Sequence, residues 1–162
     1  FHQPGMKNMK RVVSHAKNDP TLDKVTSKDG KTYSISDAFE KDIDWIQIDI
    51  GFLSEQEKDA VLRLCKYAVI NGSHTAMGEI LGGKSKPIIG IPVYDEHTNQ
   101  IKWAEERKLG ILATNIKQTV KAVSEIHSNY NKYEENLREF SKNYLRNGTK
   151  TTTEIISQML EN

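Results

Sequence analysis

The chain is poor in cysteine, with Cys65 alone among 162 residues. Neither an internal disulfide framework nor a cysteine-rich zinc site can be built, and the usage fits a reducing compartment. It has no excess of either charge, since 23 Lys and Arg stand against 22 Asp and Glu. A net charge of +1 lacks the global footprint of a nucleic-acid binder, so any charge-driven binding must be local. No stretch approaches the roughly 20 apolar residues of a membrane span. Phe1-His2-Gln3-Pro4-Gly5 also lacks the basic-then-apolar layout of a secretory leader. The sequence therefore predicts a soluble, cytoplasmic chain. The histidines His2, His15, His74, His97 and His127 include no pair at the i, i+4 spacing of a helical metal site, so no metal and no other cofactor is expected. There is no internal repeat and no low-complexity linker.

An apolar content of 36% beside 28% charged residues is polar for a globular domain, yet its patterning is too regular for disorder. The length is that of one domain. Residues 1–44 carry the weakest periodicity. Met9, Val12, Val13 and Ala16 recur at helical spacing and predict a basic amphipathic helix over Met6–Ala16, stopped by Asn18-Asp19-Pro20. Its Lys7, Lys10 and Arg11 read as a solvated face. Around Asp29-Gly30, residues Lys24–Ser36 predict a small hairpin.

From residue 45 onward, strands alternate with helices, which predicts a parallel sheet with helices on both faces. The strands are Trp45–Ile50, Tyr67–Ile70, Pro87–Val93 and Ile111–Ala113, expected as parallel neighbours. Ser54-Glu55-Gln56-Glu57 is a capping box opening a helix that turns Ala60, Val61, Leu64 and Cys65 to the core, Cys65 as a buried thiol. Further helices are predicted over Thr75–Leu81, His97–Lys108 and Asn115–Ser128, the last with the stripe Ile116, Val120, Val123, Ile126. Tyr133, Leu137, Phe140 and Tyr144 form the next stripe, at core spacing rather than as a nucleic-acid stacking platform. Thr151-x-x-Glu154 caps a final helix with Ile155, Ile156 and Leu160.

The segment richest in chemistry is Asn71-Gly72-Ser73-His74-Thr75-Ala76-Met77-Gly78-Glu79, where a predicted strand ends and a helix begins. Open α/β sheets place their ligands there. Small residues let a ligand approach the backbone, and amides at a helix start favour an anion such as phosphate. His74 and Thr75 add side-chain donors, and Glu79 can accept hydrogen bonds from hydroxyl groups. In the plainer reading Ser73 or Thr75 merely caps the helix and Glu79 is a solvated acid. Asp95-Glu96-His97 likewise reads as a polar loop at a strand end or, less simply, as an acid–base cluster.

These residues stand in a longer order: Gly72-Ser73-His74-Thr75, then Glu79, Gly83-Lys84-Ser85-Lys86-Pro87, Ile91-Pro92, Asp95-Glu96-His97-Thr98-Asn99-Gln100 and Leu109-Gly110-Ile111. In that order the chain from Trp45 onward resembles the C-terminal, donor-binding half of a GT-B glycosyltransferase. The resemblance is to the group with the peptidoglycan N-acetylglucosaminyltransferase and the UDP-glucuronosyltransferases. It implies a Rossmann-like parallel sheet, one half of a GT-B fold, and a single nucleotide-sugar-binding domain over 1–162 with C-terminal helices. Ser73, His74 and Thr75, beside Gly72, would hold the diphosphate of a UDP-sugar, and Glu79 the ribose hydroxyls. Ile50, Gly51 and Phe52 would face the nucleobase, and Asp95, Asn99 and Gln100 the sugar or the acceptor cleft. Gly72-Ser73 in place of Gly-Gly, the longer Gly83–Pro87 turn and His97 leave the identity of the sugar open.

The same resemblance implies a second, acceptor-binding half, in the same chain or in a separate subunit. That half would carry any membrane contact and the general base. Phe1-His2-Gln3-Pro4-Gly5 would be the tail of a donor-domain strand and loop clipped at its start. The alternative is a non-catalytic α/β binding or interaction module that keeps the fold.

Overall fold

The computed structural model describes residues 8–144 and 148–160. Phe1–Gly5, read above as a strand tail, and the first part of the Met6–Ala16 helix lie outside the described residues. Where that helix was expected to continue, Arg11–Ser14 forms strand β1 instead. It runs parallel to β4, Trp45–Ile50, with Val12 opposite Ile48. Two adjacent β-branched residues suit a pleated surface better than a helical turn, and the Arg11 guanidinium donates to the Gln47 amide oxygen at 2.6 Å.

The hairpin forms at the expected turn but is shorter than Lys24–Ser36, since Ile35 and Ser36 belong to the helix that follows: β2, Lys24–Ser27, pairs antiparallel with β3, Thr32–Tyr33, across Asp29-Gly30, with Gly30 at φ +87°. In that turn the Ser27 hydroxyl donates to the Asp29 carboxylate. This bond first, then Lys31, lowers Asp29 from 3.8 to about 2. The folded value lies below the unfolded one, so the contribution to stability is complete above roughly pH 4 and is lost as pH falls through about 2. Asp29→Asn should therefore flatten the acid limb of a circular-dichroism pH titration in that window. Identical limbs in both proteins would show that the turn carries none of the acid sensitivity.

Strand β4, expected as a neighbour of the later strands, lies instead in a four-stranded mixed sheet of order β1-β4-β2-β3. Its other edge pairs antiparallel with β2. The helix α1, Ile35–Glu40, capped by Ser34, closes a small core of Val25, Ala38 and Ile48. The later strands form a separate three-stranded parallel sheet: β5, Ala68–Ile70, then β6, Ile88–Gly90, then β7, Gly110–Leu112. Both faces of this sheet are covered. Ile88 and Ile89 are fully buried in the central strand and, being adjacent, point to opposite faces. Ile88 packs with Leu62, Met77, Leu81, Ala104 and Leu137, and Ile89 with Ala122, Val123 and Ile126.

Helix α2, Glu55–Leu64, has the expected capping box, with the Ser54 amide donating to the Glu57 carboxylate at 2.9 Å. Its core residue is Leu62; Ala60 and Leu64 face solvent, contrary to the periodic reading. Cys65 is the cap residue beyond that helix and only half-buried, and burial pushes its thiol up, away from a reactive thiolate. Helix α3, His74–Met77, passes directly into a π-helical stretch, Gly78–Gly83. Helix α4, Asp95–Glu106, starts two residues before the predicted His97, so Asp95 and Glu96 belong to a first turn and not to a loop. The pair of acids suits the positive end of a helix.

Helix α5, Ile116–Ser128, is capped by the Asn115 side chain and buries Thr119, Ala122, Val123 and Ile126, while Ile116 stays exposed. Helix α6, Tyr130–Tyr144, brings Leu137 to the core. Helix α7, Gly148–Leu160, begins before Thr151, which is therefore inside the helix and not its cap. Its Ile155, Ile156 and Leu160 are exposed. Among the described residues no helix is long and apolar enough to cross a membrane.

Candidate functional site

The parallel order β5-β6-β7 puts the turn after β5 and the segment after β6 on one edge of the sheet. Gly72 makes the turn after β5 at φ +88°, a left-handed conformation suited to glycine. A Cβ there would stand 2.6 Å from the Ile101 side chain, so α4 packs down onto the turn only because the side chain is missing. Ser73 caps α3, its hydroxyl accepting from the Ala76 amide at 3.4 Å, which realises the plainer reading of that serine. From the next residue, His74, a cluster reaches across to α4. The Gln100 side-chain nitrogen lies 2.8 Å from His74 Nδ1 and donates to Glu96 Oε1 at 2.9 Å. Glu96 Oε1 is itself 3.2 Å from His74 Nδ1. His74, Glu96 and Gln100 thus form a triangle across the mouth between two helix starts. Thr75 and Asp95 lie beside it with exposed side chains.

Behind the triangle lies a cavity of about 570 Å³. Its polar end is His74, Asn99 and Gln100; Met77, Leu81, Trp103 and Phe140 supply the apolar walls. Gly78 and Gly82 of the π-helical stretch complete it. A π-helical turn inserts one residue into a helix and recurs at functional sites. The Trp103 and Phe140 rings meet edge to face at 5.7 Å and 80°. The Arg107 guanidinium lies over Trp103 at 4.4 Å and donates to the Trp103 carbonyl at 3.1 Å, fixing the indole.

Glu79 turns elsewhere. Its carboxylate is 3.2 Å from Lys58 of α2, which is also bound to Glu55 at 2.8 Å. The Glu55 bond first, and Glu79 after it, hold the Lys58 ammonium above its ordinary value. Gly51 and Phe52 follow β4 in the other sheet. The Gly51 amide donates to the Asp23 carboxylate at 2.8 Å and its carbonyl accepts from the Lys17 amide at 2.6 Å, while the Ile50 carbonyl accepts from His15. Those backbone groups already have protein partners, which leaves Phe52, with 60% exposure, as the residue there with free surface.

The structure therefore joins His74, Asn99 and Gln100 in the wall of one cavity, while Gly72, Ser73, Thr75 and Asp95 are not among its lining residues. In the sequence Glu96 reads as part of a polar loop or an acid–base cluster, Met77 as one residue of the segment after β5 and Phe140 as core; Leu81 and Trp103 are given no role at a site there. A signal for part of this set was present, because positions 96, 99, 100 and 103 fall on one face of a helix. Phe140 arrives from α6, which no local spacing relates to α4. Comparison with protein-family models, with curated proteins and with solved structures finds no match for this chain.

Proposed function

We propose that this chain binds the nucleoside diphosphate of a nucleotide-sugar, with UDP as the first candidate, and is the donor-binding half of a GT-B glycosyltransferase. The observation that carries the reading is the convergence of His74, Glu96 and Gln100 where the segments after two parallel strands open on one edge. The ordered motifs from Gly72 to Ile111 support it. In this reading the diphosphate sits at the start of α3 against Ser73, His74 and Thr75. The acceptor hydroxyl attacks the anomeric carbon as the bond to the diphosphate oxygen breaks, and donors at the helix start stabilise the charge that grows on that oxygen. The acceptor and its general base come from a second half, in the same chain or in another subunit. Asp95, Asn99 and Gln100 are read as the sugar side of the cleft and Phe52 as the base side.

Calorimetric titration with UDP tests this. The chain alone should bind UDP and transfer no sugar. Glu79→Ala should raise the dissociation constant about thirtyfold, roughly 2 kcal/mol, if the carboxylate leaves Lys58 to meet the ribose hydroxyls. Its effect on stability should stay below about 1 kcal/mol, the usual size of a solvent-accessible ion pair. Absence of UDP binding by a folded chain would reject the donor-site reading and favour a non-catalytic binding module. Equal affinity of wild type and variant would leave Glu79 as a partner of Lys58 alone.

A further inference from the structure

Helix α7 carries an apolar face that the described residues leave uncovered. Ile155, Ile156, Met159 and Leu160 fall at i, i+1, i+4 and i+5, on one side of the helix, and all four are exposed, Met159 at 74% and Leu160 at 82%. A helix of 13 residues standing alone in water is marginal by its length, and Thr151, Thr152, Thr153, Ile155 and Ile156 are β-branched residues of modest helix propensity. Most of the stability of such a helix comes from packing its apolar face, so α7 requires a surface to lie on. The cavity behind the triangle is a surface of that kind. Trp103 of α4, 39% exposed, and Phe140 of α6 line it together with Met77 and Leu81.

The chain's own connectivity selects the occupant. Phe140 stands one turn before Tyr144, where α6 ends, and only residues 145–147 separate that end from Gly148, where α7 begins. Helices joined by so short a connection pack as antiparallel neighbours. At about 1.5 Å per residue, Ile155 and Ile156 lie roughly 11–12 Å from the start of α7, while Leu137 and Phe140 lie about 10 and 6 Å from the end of α6. Folded back, the apolar face of α7 therefore comes level with the α6 turn that ends at Phe140. A segment tethered by a few residues acts at an effective concentration on the order of millimolar, above the concentrations at which a second copy would compete. We infer that α7 is a strap that folds back along α6 and closes over the cavity of its own chain, laying Ile155, Ile156 and Met159 against Trp103 and Phe140. In that arrangement the apolar face and the open Trp103 ring cover each other, and any molecule entering the cavity must displace α7. The inference goes beyond the nucleotide reading and does not rest on it.

Hydrogen exchange of the backbone amides and the two indole N–H signals, read by magnetic resonance on the full isotope-labelled chain, test the strap. Amides from Ile155 to Leu160 should exchange at least tenfold more slowly in the wild type than in Ile155→Asp/Ile156→Asp, which alters only exposed side chains. The same variant should move the signal of Trp103, in the cavity wall, and leave that of Trp45, in the other sheet, unmoved. A mere loss of intrinsic helicity would speed exchange in α7 but would not reach Trp103. Gly78→Leu should also speed exchange in α7 at least tenfold, because Gly78 lines the cavity and a Cβ on it would meet nothing within 4 Å, so the added side chain takes up space that α7 needs. Three outcomes would overturn the inference: α7 amides that exchange at the unprotected rate in the wild type, a Trp103 signal indifferent to the α7 substitutions, or protection that Gly78→Leu leaves intact. Protection that falls on dilution would do so as well, because a second copy would then be the occupant. The first comparison keeps every core residue, so a misfolded Gly78→Leu cannot rescue or sink the result. UDP calorimetry is a separate readout, and either reading can fail alone.

Discussion

Ile101→Ala is expected to lower the unfolding free energy by about 2–5 kcal/mol, measured by chemical denaturation. Ile101 is fully buried and lies over Gly72 and Gly90. The cost of such a truncation depends on how far the surroundings collapse into the space. Here the nearest residues on the sheet side have no side chains to move, so the loss should fall in the upper half of that range. The same change should loosen the candidate site, because Ile101 is the neighbour of Gln100 and seats α4 against the turn that carries His74. A loss below about 1 kcal/mol would show that α4 is anchored elsewhere.

Gly90→Ala is expected to cost about 3 kcal/mol, the upper end for overpacking a buried position. Gly90 ends the central strand and has partners on both sides, with Ile70 across from it in β5 and Leu112 in β7, so its backbone cannot retreat. A Cβ on it would collide with three atoms of the Ile101 side chain. The two substitutions should therefore compensate. In the double variant Gly90→Ala/Ile101→Ala, the new methyl group enters the space that Ile101 vacates, and the combined loss should be smaller than the sum by about 1–3 kcal/mol. Simple additivity in denaturant unfolding would mean that Gly90 and Ile101 do not share one space. Together the two results decide whether the close approach of α4 to the sheet is what sets the geometry around His74.

How much of this was legible in the sequence depended on the range of the forces involved. The capping box at Ser54–Glu57 and the turn at Asp29-Gly30 are local hydrogen-bond motifs completed within a few residues, and each forms where the residues stand. The unbroken apolar run around Ile88 and Ile89 announced a strand covered on both faces, because a sheet with helices on either side demands it. The shared edge for the Ser73 turn and the segment after β6 also followed from the alternation of strands and helices, since crossover connections keep successive strands parallel. What a few residues cannot encode is their partner. Over a stretch as short as Arg11–Ser14, helical and extended spacings coincide, and pairing with β4 at a separation of 36 residues between Arg11 and Gln47 decided for the strand. That pairing, with β2 on the other edge, is also what placed Trp45–Ile50 in a sheet of its own. The π-helical residue after Met77 re-phased the helix face, and the ammonium of Lys58 claimed Glu79. The cavity joins α4 to α6, and the buried carbonyl of Gln100 exists only because Glu96 and His74 hold its amide from the opposite side. Sequence by itself determined the elements whose stabilising bonds are near neighbours; tertiary structure decided every feature whose partner comes from a distant segment, because such contacts are chosen by packing in three dimensions and leave no periodicity behind.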